Sequence, residues 1–171
     1  MKKYLVFVLA ALLIGALATG GLAAGKSNVG HLYLYEKNPA DWDAYPIPGG
    51  AWGKLKYNLS GPEFEFVFNG HGLETNTDYS LIYYADGWPG DNPGAFIGSG
   101  TSNRGGNIHL ADSVDLGFDL PDSADANYPD GAKIWLVLSN DYDAENCMMI
   151  AWNPTEYLFE NNLITYDDTQ I

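Results

Sequence analysis

The sequence predicts an all-β fold, a two-sheet antiparallel β-sandwich of immunoglobulin-like or jelly-roll-like type, behind an N-terminal signal helix. Three observations carry that expectation. Short apolar or alternating runs recur roughly every 8–15 residues along the chain. Each run is closed by Gly, Pro, Asn or Asp, the residues of turns. Beyond the leader, no stretch holds a helical apolar period long enough to alternate with strands in a parallel sheet.

The leader comes first. Met1-Lys2-Lys3 is followed by an apolar run from Tyr4 that ends in the small residues Ala23 and Ala24. A positive start, an apolar middle and a small-residue exit are the features of an export signal. Residues 1–24 are therefore expected to be a signal peptide and 25–171 a single domain, placing the protein in the extracellular space or cell envelope. The run could span a ~30 Å hydrocarbon core, so membrane contact is expected only if it is retained.

Strands follow in order. His31-Leu32-Tyr33-Leu34-Tyr35 is the first. Leu55, Tyr57 and Leu59 alternate with Lys54, Lys56 and Asn58, a half-buried pattern. Phe64, Phe66 and Phe68 alternate with Glu63, Glu65 and Val67, the cleanest two-residue period in the chain. Tyr79–Ala85 comes next. Ala95–Ile97 and Asn107–Leu110 flank a Gly/Ser/Asn segment, 98–106, that reads as a long hairpin loop. Lys133–Ser139 is almost wholly apolar and so is expected to be covered on both faces. Met148–Trp152 and Leu163–Tyr166 complete the set. Asn153-Pro154-Thr155-Glu156 predicts one helical turn, with Asn as cap and Pro at the first helical position.

The chain carries 22 acidic and 8 basic residues, a formal charge of −14. Every acidic residue lies beyond residue 24, whereas Lys2 and Lys3 lie before it. Such a surface argues against nucleic acid, whose binding needs a basic face. The lone Cys147 excludes an intramolecular disulfide.

Motifs of catalysis are missing. Gly98-Ser99-Gly100 is half a nucleophile elbow, with Ile97 where the first Gly should be. His31, His71 and His109 lack metal-ligand spacing. Asp141, Asp143 and Glu145 alternate after Asn140 and are the calcium candidates, since hard cations take oxygen ligands; Asp119, Asp122, Asp125 and Asp130 form a second acidic loop. No other cofactor is expected, and no enzyme activity. Five Trp and twelve Tyr raise sugar binding through ring stacking, with Trp42 and the loop bearing Asp86 and Trp88 as candidates. Asn58-Leu59-Ser60 matches a glycan acceptor. His31–Tyr35, Phe64–Phe68 and Ile134–Leu138 are strongly β-prone, so at a sheet edge they would pair with another copy.

Several segments resemble a family of small exported proteins from methanogenic archaea: Gly30–Lys37, Trp52–Tyr57, Phe68–Leu73, Tyr79–Asp86, and Gly98–Ser102 running into Gly106–Leu110. The resemblance covers most of residues 28–168 and brings no catalytic residue with it. Its functional association is with the major sheath protein of filamentous methanogens, whose sheath is amyloid-like. It thus implies a structural, self-assembling surface protein. The expected function is an exported structural protein of the cell envelope or sheath, self-associating through β-strands into an oligomer or filament. The alternative is an extracellular carbohydrate- or calcium-binding module, with a surface polysaccharide as partner.

Overall fold

A computed structural model describes residues 27–38, 46–85 and 94–170. The expected signal helix over 1–24, Trp42, Asp86 and Trp88 lie outside the described residues.

The described chain is all-β. Its strands are β1 (Val29–Tyr35), β2 (Trp52–Asn58), β3 (Ser60–Gly61), β4 (Phe64–His71), β5 (Asp78–Tyr84), β6 (Ala95–Thr101), β7 (Ile108–Val114), β8 (Lys133–Leu138), β9 (Tyr142–Asp143), β10 (Met148–Met149), β11 (Phe159–Glu160) and β12 (Asp167–Asp168). A five-stranded sheet runs β11-β1-β2-β4-β7 and a three-stranded sheet runs β6-β5-β8. All pairs within these two sheets are antiparallel.

Alternation drives the packing of the larger sheet. In β4 the burial alternates residue by residue, with Phe64, Phe66 and Phe68 inward and Glu65 outward. Those rings join Leu32, Leu34, Leu55 and Tyr57, and face Tyr79, Leu81, Tyr83, Ile134 and Leu136 of the other sheet in one core. Gly53 lies directly against the Phe68 ring, where any Cβ would collide. A Gly in a strand interior here marks the close approach of a ring.

The two seams of the sandwich differ. On one side the C-terminal segment closes it: Leu158 bridges Leu136 of β8, and the next two residues pair with β1. The chain thus crosses from one sheet to the other between Leu158 and Phe159. On the other side β6 and β7 share no ladder among the described residues. Residues 98–106 do not form the hairpin loop that their Gly/Ser/Asn content predicts. Gly98 to Thr101 continue β6, and the connection after them crosses between the sheets, held by Asn103 N–H to Asn107 O (2.8 Å) and Gly106 N–H to Asn103 O (3.0 Å). Gly98 and Gly100 serve close packing instead of turning, because a Cβ on either would press on Phe66 or Leu110 of the opposite sheet.

β8 has both faces covered, as its apolar run predicts. Ile134 and Leu136 enter the main core, while Trp135 and Val137 enter a second cluster on the outside of the smaller sheet with Ile82, Tyr84, Tyr142, Met149, Tyr157 and Phe159. The chain from Tyr142 to Phe159 folds over that outer face and makes the cluster an interior. The turn at Pro154–Glu156 has Pro at its start. Asn153 does not cap it through its side chain; its Nδ2 instead donates to Asp141 Oδ2 at 2.8 Å.

Candidate functional site

Because β1, β2, β4 and β7 alternate in register, their outward side chains form rows across the larger sheet, about 6.7 Å apart along the strands. The first row is Tyr35, Trp52 and His71; the second is Tyr33, Lys54, Asn69 and His109. The third is His31, Lys56, Val67 and Ala111, and only in the fourth does a carboxylate appear, Glu65 opposite Ser113.

The aromatic end is partly in solvent. Tyr33 is 37% and Trp52 40% exposed. The rings of Tyr33 and Tyr35 are parallel within 4°, with centroids 6.1 Å apart, and Tyr33 and Trp52 stand 6.5 Å apart. Trp52 packs on the His71 ring at 4.6 Å. A cavity of about 290 Å³ opens beside them, lined by Tyr33, Tyr35, Pro46, Ile47, Gly50 and Trp52. Lys54 Nζ sits 5.4 Å from the Tyr33 ring centre, a cation–π distance.

Hydrogen bonds orient the polar members. His71 Nδ1 lies 2.7 Å from Asn107 Oδ1, and Asn107 Nδ2 donates to Gly105 O at 3.2 Å, which sets the amide's orientation. An amide oxygen only accepts, so His71 Nδ1 carries a hydrogen and its Nε2 is left for another partner. His109 Nδ1 meets Asn69 Oδ1 at 2.8 Å in the same manner. Burial, with the neighbouring Tyr33 phenol second, pushes the Tyr35 hydroxyl up from its ordinary value, so it stays a neutral donor. Parallel rings, a pocket beside them and fixed donors and acceptors can stack a sugar ring and hydrogen-bond its hydroxyls.

The residues singled out from sequence lie elsewhere. Asp141 is buried, not solvated: its Oδ2 accepts from Tyr157 OH at 2.5 Å and from Asn153 Nδ2 at 2.8 Å. Burial first, then the hydrogen bond to Asp141, raises the Tyr157 hydroxyl. Asp143 turns back on its own loop, accepting from the Glu145 and Asn146 amides and from Asn146 Nδ2, and the Asn146 side chain leads in lowering its carboxyl. Glu145 is exposed. A calcium ion there would have to take Asp141 from Tyr157 and Asn153. Among the described residues, no three His, Cys, Asp or Glu side chains gather as a metal site.

In the second acidic loop, Asp125 is likewise buried, with Oδ2 accepting from Tyr83 OH at 2.6 Å. Asp119 Oδ1 receives the Asp168 amide. Cys147 is half-buried against the second cluster. The Asn58 amide of the glycan-acceptor triplet is fully used, donating to Ser60 O and Glu63 O while its oxygen accepts from the Glu65 amide. Ser99 sits within β6.

Of the β-prone runs, β4 lies between β2 and β7; β1 has β2 along one edge and β11 only at Leu34 and Tyr35 on the other. β8 has β5 along one edge and the Leu136–Leu158 bridge on the other, with Ala132 just before it bridged to Ile164. The row of Tyr33, Tyr35 and Trp52 was not singled out from sequence as a site. Its signal was present in the two-residue spacing of Tyr33 and Tyr35 and of Trp52, Lys54 and Lys56, but only the register joins the two strands into one face.

Compared with known protein families, characterised proteins and solved structures, the chain matches none. The chemistry of this face is what a function can be read from.

Proposed function

We infer that the domain is a non-catalytic glycan-binding module of an exported protein, holding a surface polysaccharide on the outer face of its larger sheet. The observation that carries this reading is the exposed aromatic row: Tyr33, Tyr35 and Trp52 on one rigid sheet, with His71 packed on Trp52. Large aromatics left partly in water on a paired, inflexible surface gain free energy when a flat apolar ligand face covers them. Pyranose rings present such faces, with hydroxyls at the rim for His71 and Tyr35. The export leader supports an extracellular setting, and a sheet is flat enough for an internal segment of a long chain.

The test is affinity electrophoresis through gels containing soluble polysaccharides. Retardation by at least one of them is expected, and Trp52→Ala should weaken it by about tenfold to thirtyfold, the loss of roughly 2 kcal/mol that an aromatic anchor carries. Unretarded migration in a panel spanning β-glucan, mannan, chitosan and polyuronate would sink the reading.

A second reading is the structural, self-associating subunit of an envelope or sheath, which the resemblance implies. One observation favours it: the outer edges of β6 and β7 carry no ladder among the described residues. An unpaired edge accepts a strand from another chain. Concentration-dependent sedimentation that Ala111→Pro in β7 abolishes would support it; a monomer at all concentrations would remove it.

A further inference from the structure

The charges on this face run against those of the whole chain. The protein carries −14, yet the first three rows of the larger sheet's outer surface hold no carboxylate among the described residues. They hold Lys54, Lys56 and all three histidines. Of the carboxylates near their margin, Glu36 accepts the Ala51 amide at 2.9 Å and Glu63 bonds Ser113, while Glu65 and Asp112 line a cavity with Lys56 at the end of the third row. Lys54 and Lys56 are two apart on β2, so both ammonium groups leave the same side of the sheet.

We propose that the polysaccharide held on this face is anionic: a polyuronate-like chain whose rings stack along Tyr33, Tyr35 and Trp52 while its carboxylates meet Lys54 and Lys56. This rests on the glycan-binding reading and adds the charge of the ligand to it. The arrangement has a physical logic. An acidic protein repels an acidic polymer at long range, so binding requires a locally cleared and cationic strip. A neutral glycan needs no such clearing, and 22 acidic residues spread at random would leave some on a face of this size. Imidazoles beside the lysines can donate to a carboxylate where a carboxylate side chain would repel it. The fourth row, with Glu65, then marks where the anionic chain has to leave the sheet.

The experiment compares alginate, a polyuronate, with hydroxyethylcellulose, a neutral β-glucan, by isothermal titration of the full chain. Alginate should bind more tightly, and its affinity should fall as salt rises from about 50 to 300 mM, the range in which exposed charge pairs are screened. Lys54→Gln with Lys56→Gln should weaken alginate by at least about tenfold, and several-fold more than it weakens the neutral glycan, which loses only what Lys54 contributes at the Tyr33 ring. Because both lysines are outward, an unchanged melting temperature shows that the double variant is folded. Equal binding of the two polymers, or alginate binding that ignores salt and the lysines, overturns the anionic assignment and leaves the glycan reading intact. Binding of neither polymer ends both. Self-association abolished by the double variant would make the strip a contact for an acidic face of a second copy, which also overturns the proposal.

Discussion

The two outer faces of the sandwich are built from the same kinds of residue and have opposite fates. Outside the smaller sheet, Tyr84 stacks on Trp135 at 3.8 Å and Phe159 meets Trp135 edge-on at 5.0 Å, all of them buried. Outside the larger sheet, Tyr33 and Trp52 stand with over a third of their surface in water. The difference is the chain from Tyr142 to Phe159, which lies over the first face and not over the second. An aromatic row on a sheet becomes core when the polypeptide supplies its own cover, and becomes a binding surface when the cover is left to a ligand.

The largest expected effect is on the covered face. Phe159→Ala removes a fully buried ring that touches Trp135, Trp152 and Tyr157, and should cost about 3–5 kcal/mol in chemical denaturation. Trp52→Ala, an equally drastic truncation on the uncovered face, should cost less than about 1 kcal/mol while weakening glycan binding by about tenfold to thirtyfold. Similar stability losses for the two would erase the distinction between the faces.

Next comes the anchor of the cover. Tyr157→Phe deletes the hydroxyl that donates to the buried Asp141 and leaves that carboxylate with Asn153. A loss of about 2 kcal/mol is expected, with the outer face of the smaller sheet exchanging amide hydrogens faster. An unchanged stability would mean that Asp141 does not hold the cover.

A smaller effect is pH-dependent. Burial raises the Glu160 carboxyl from 4.5 to about 7, against the lowering pull of its own backbone amide first and then of the Lys37 and Lys133 charges. Between those values the folded state holds a proton that the unfolded state has released. This group's contribution is therefore fully present below pH 4.5 and is lost as pH rises through 7. Glu160→Gln should flatten that part of the profile, gaining about 1–2 kcal/mol over the wild type at pH 8. Parallel pH profiles for the two proteins would contradict it.

How much was legible in the sequence follows from the range of each interaction. The alternation of Phe64, Phe66 and Phe68 and the apolar run of β8 are local patterns, and the structure has both as expected. The cover was not legible, because it depends on the segment from Tyr142 to Phe159, whose strands are two residues long. Asp141 reads as a calcium candidate and Asp125 as part of an acidic loop because a sequence of Asp among Pro, Gly and Asn looks like open loop. Their burial depends on tyrosines 42 and 16 residues away, whose hydroxyls offset the desolvation. The aromatic row was half visible: each strand showed its alternation, yet which rings share a face is set by register, and which face is covered is set by the rest of the chain.

The most direct test of the uncovered face is nuclear magnetic resonance shift mapping of the protein titrated with a bound polysaccharide. The shifts should concentrate on Tyr33, Tyr35, Trp52, Lys54 and His71, with Trp135 and Tyr84 silent. Shifts centred on the β6 and β7 edges, or on the loop of Asp141 and Asp143, would contradict the account.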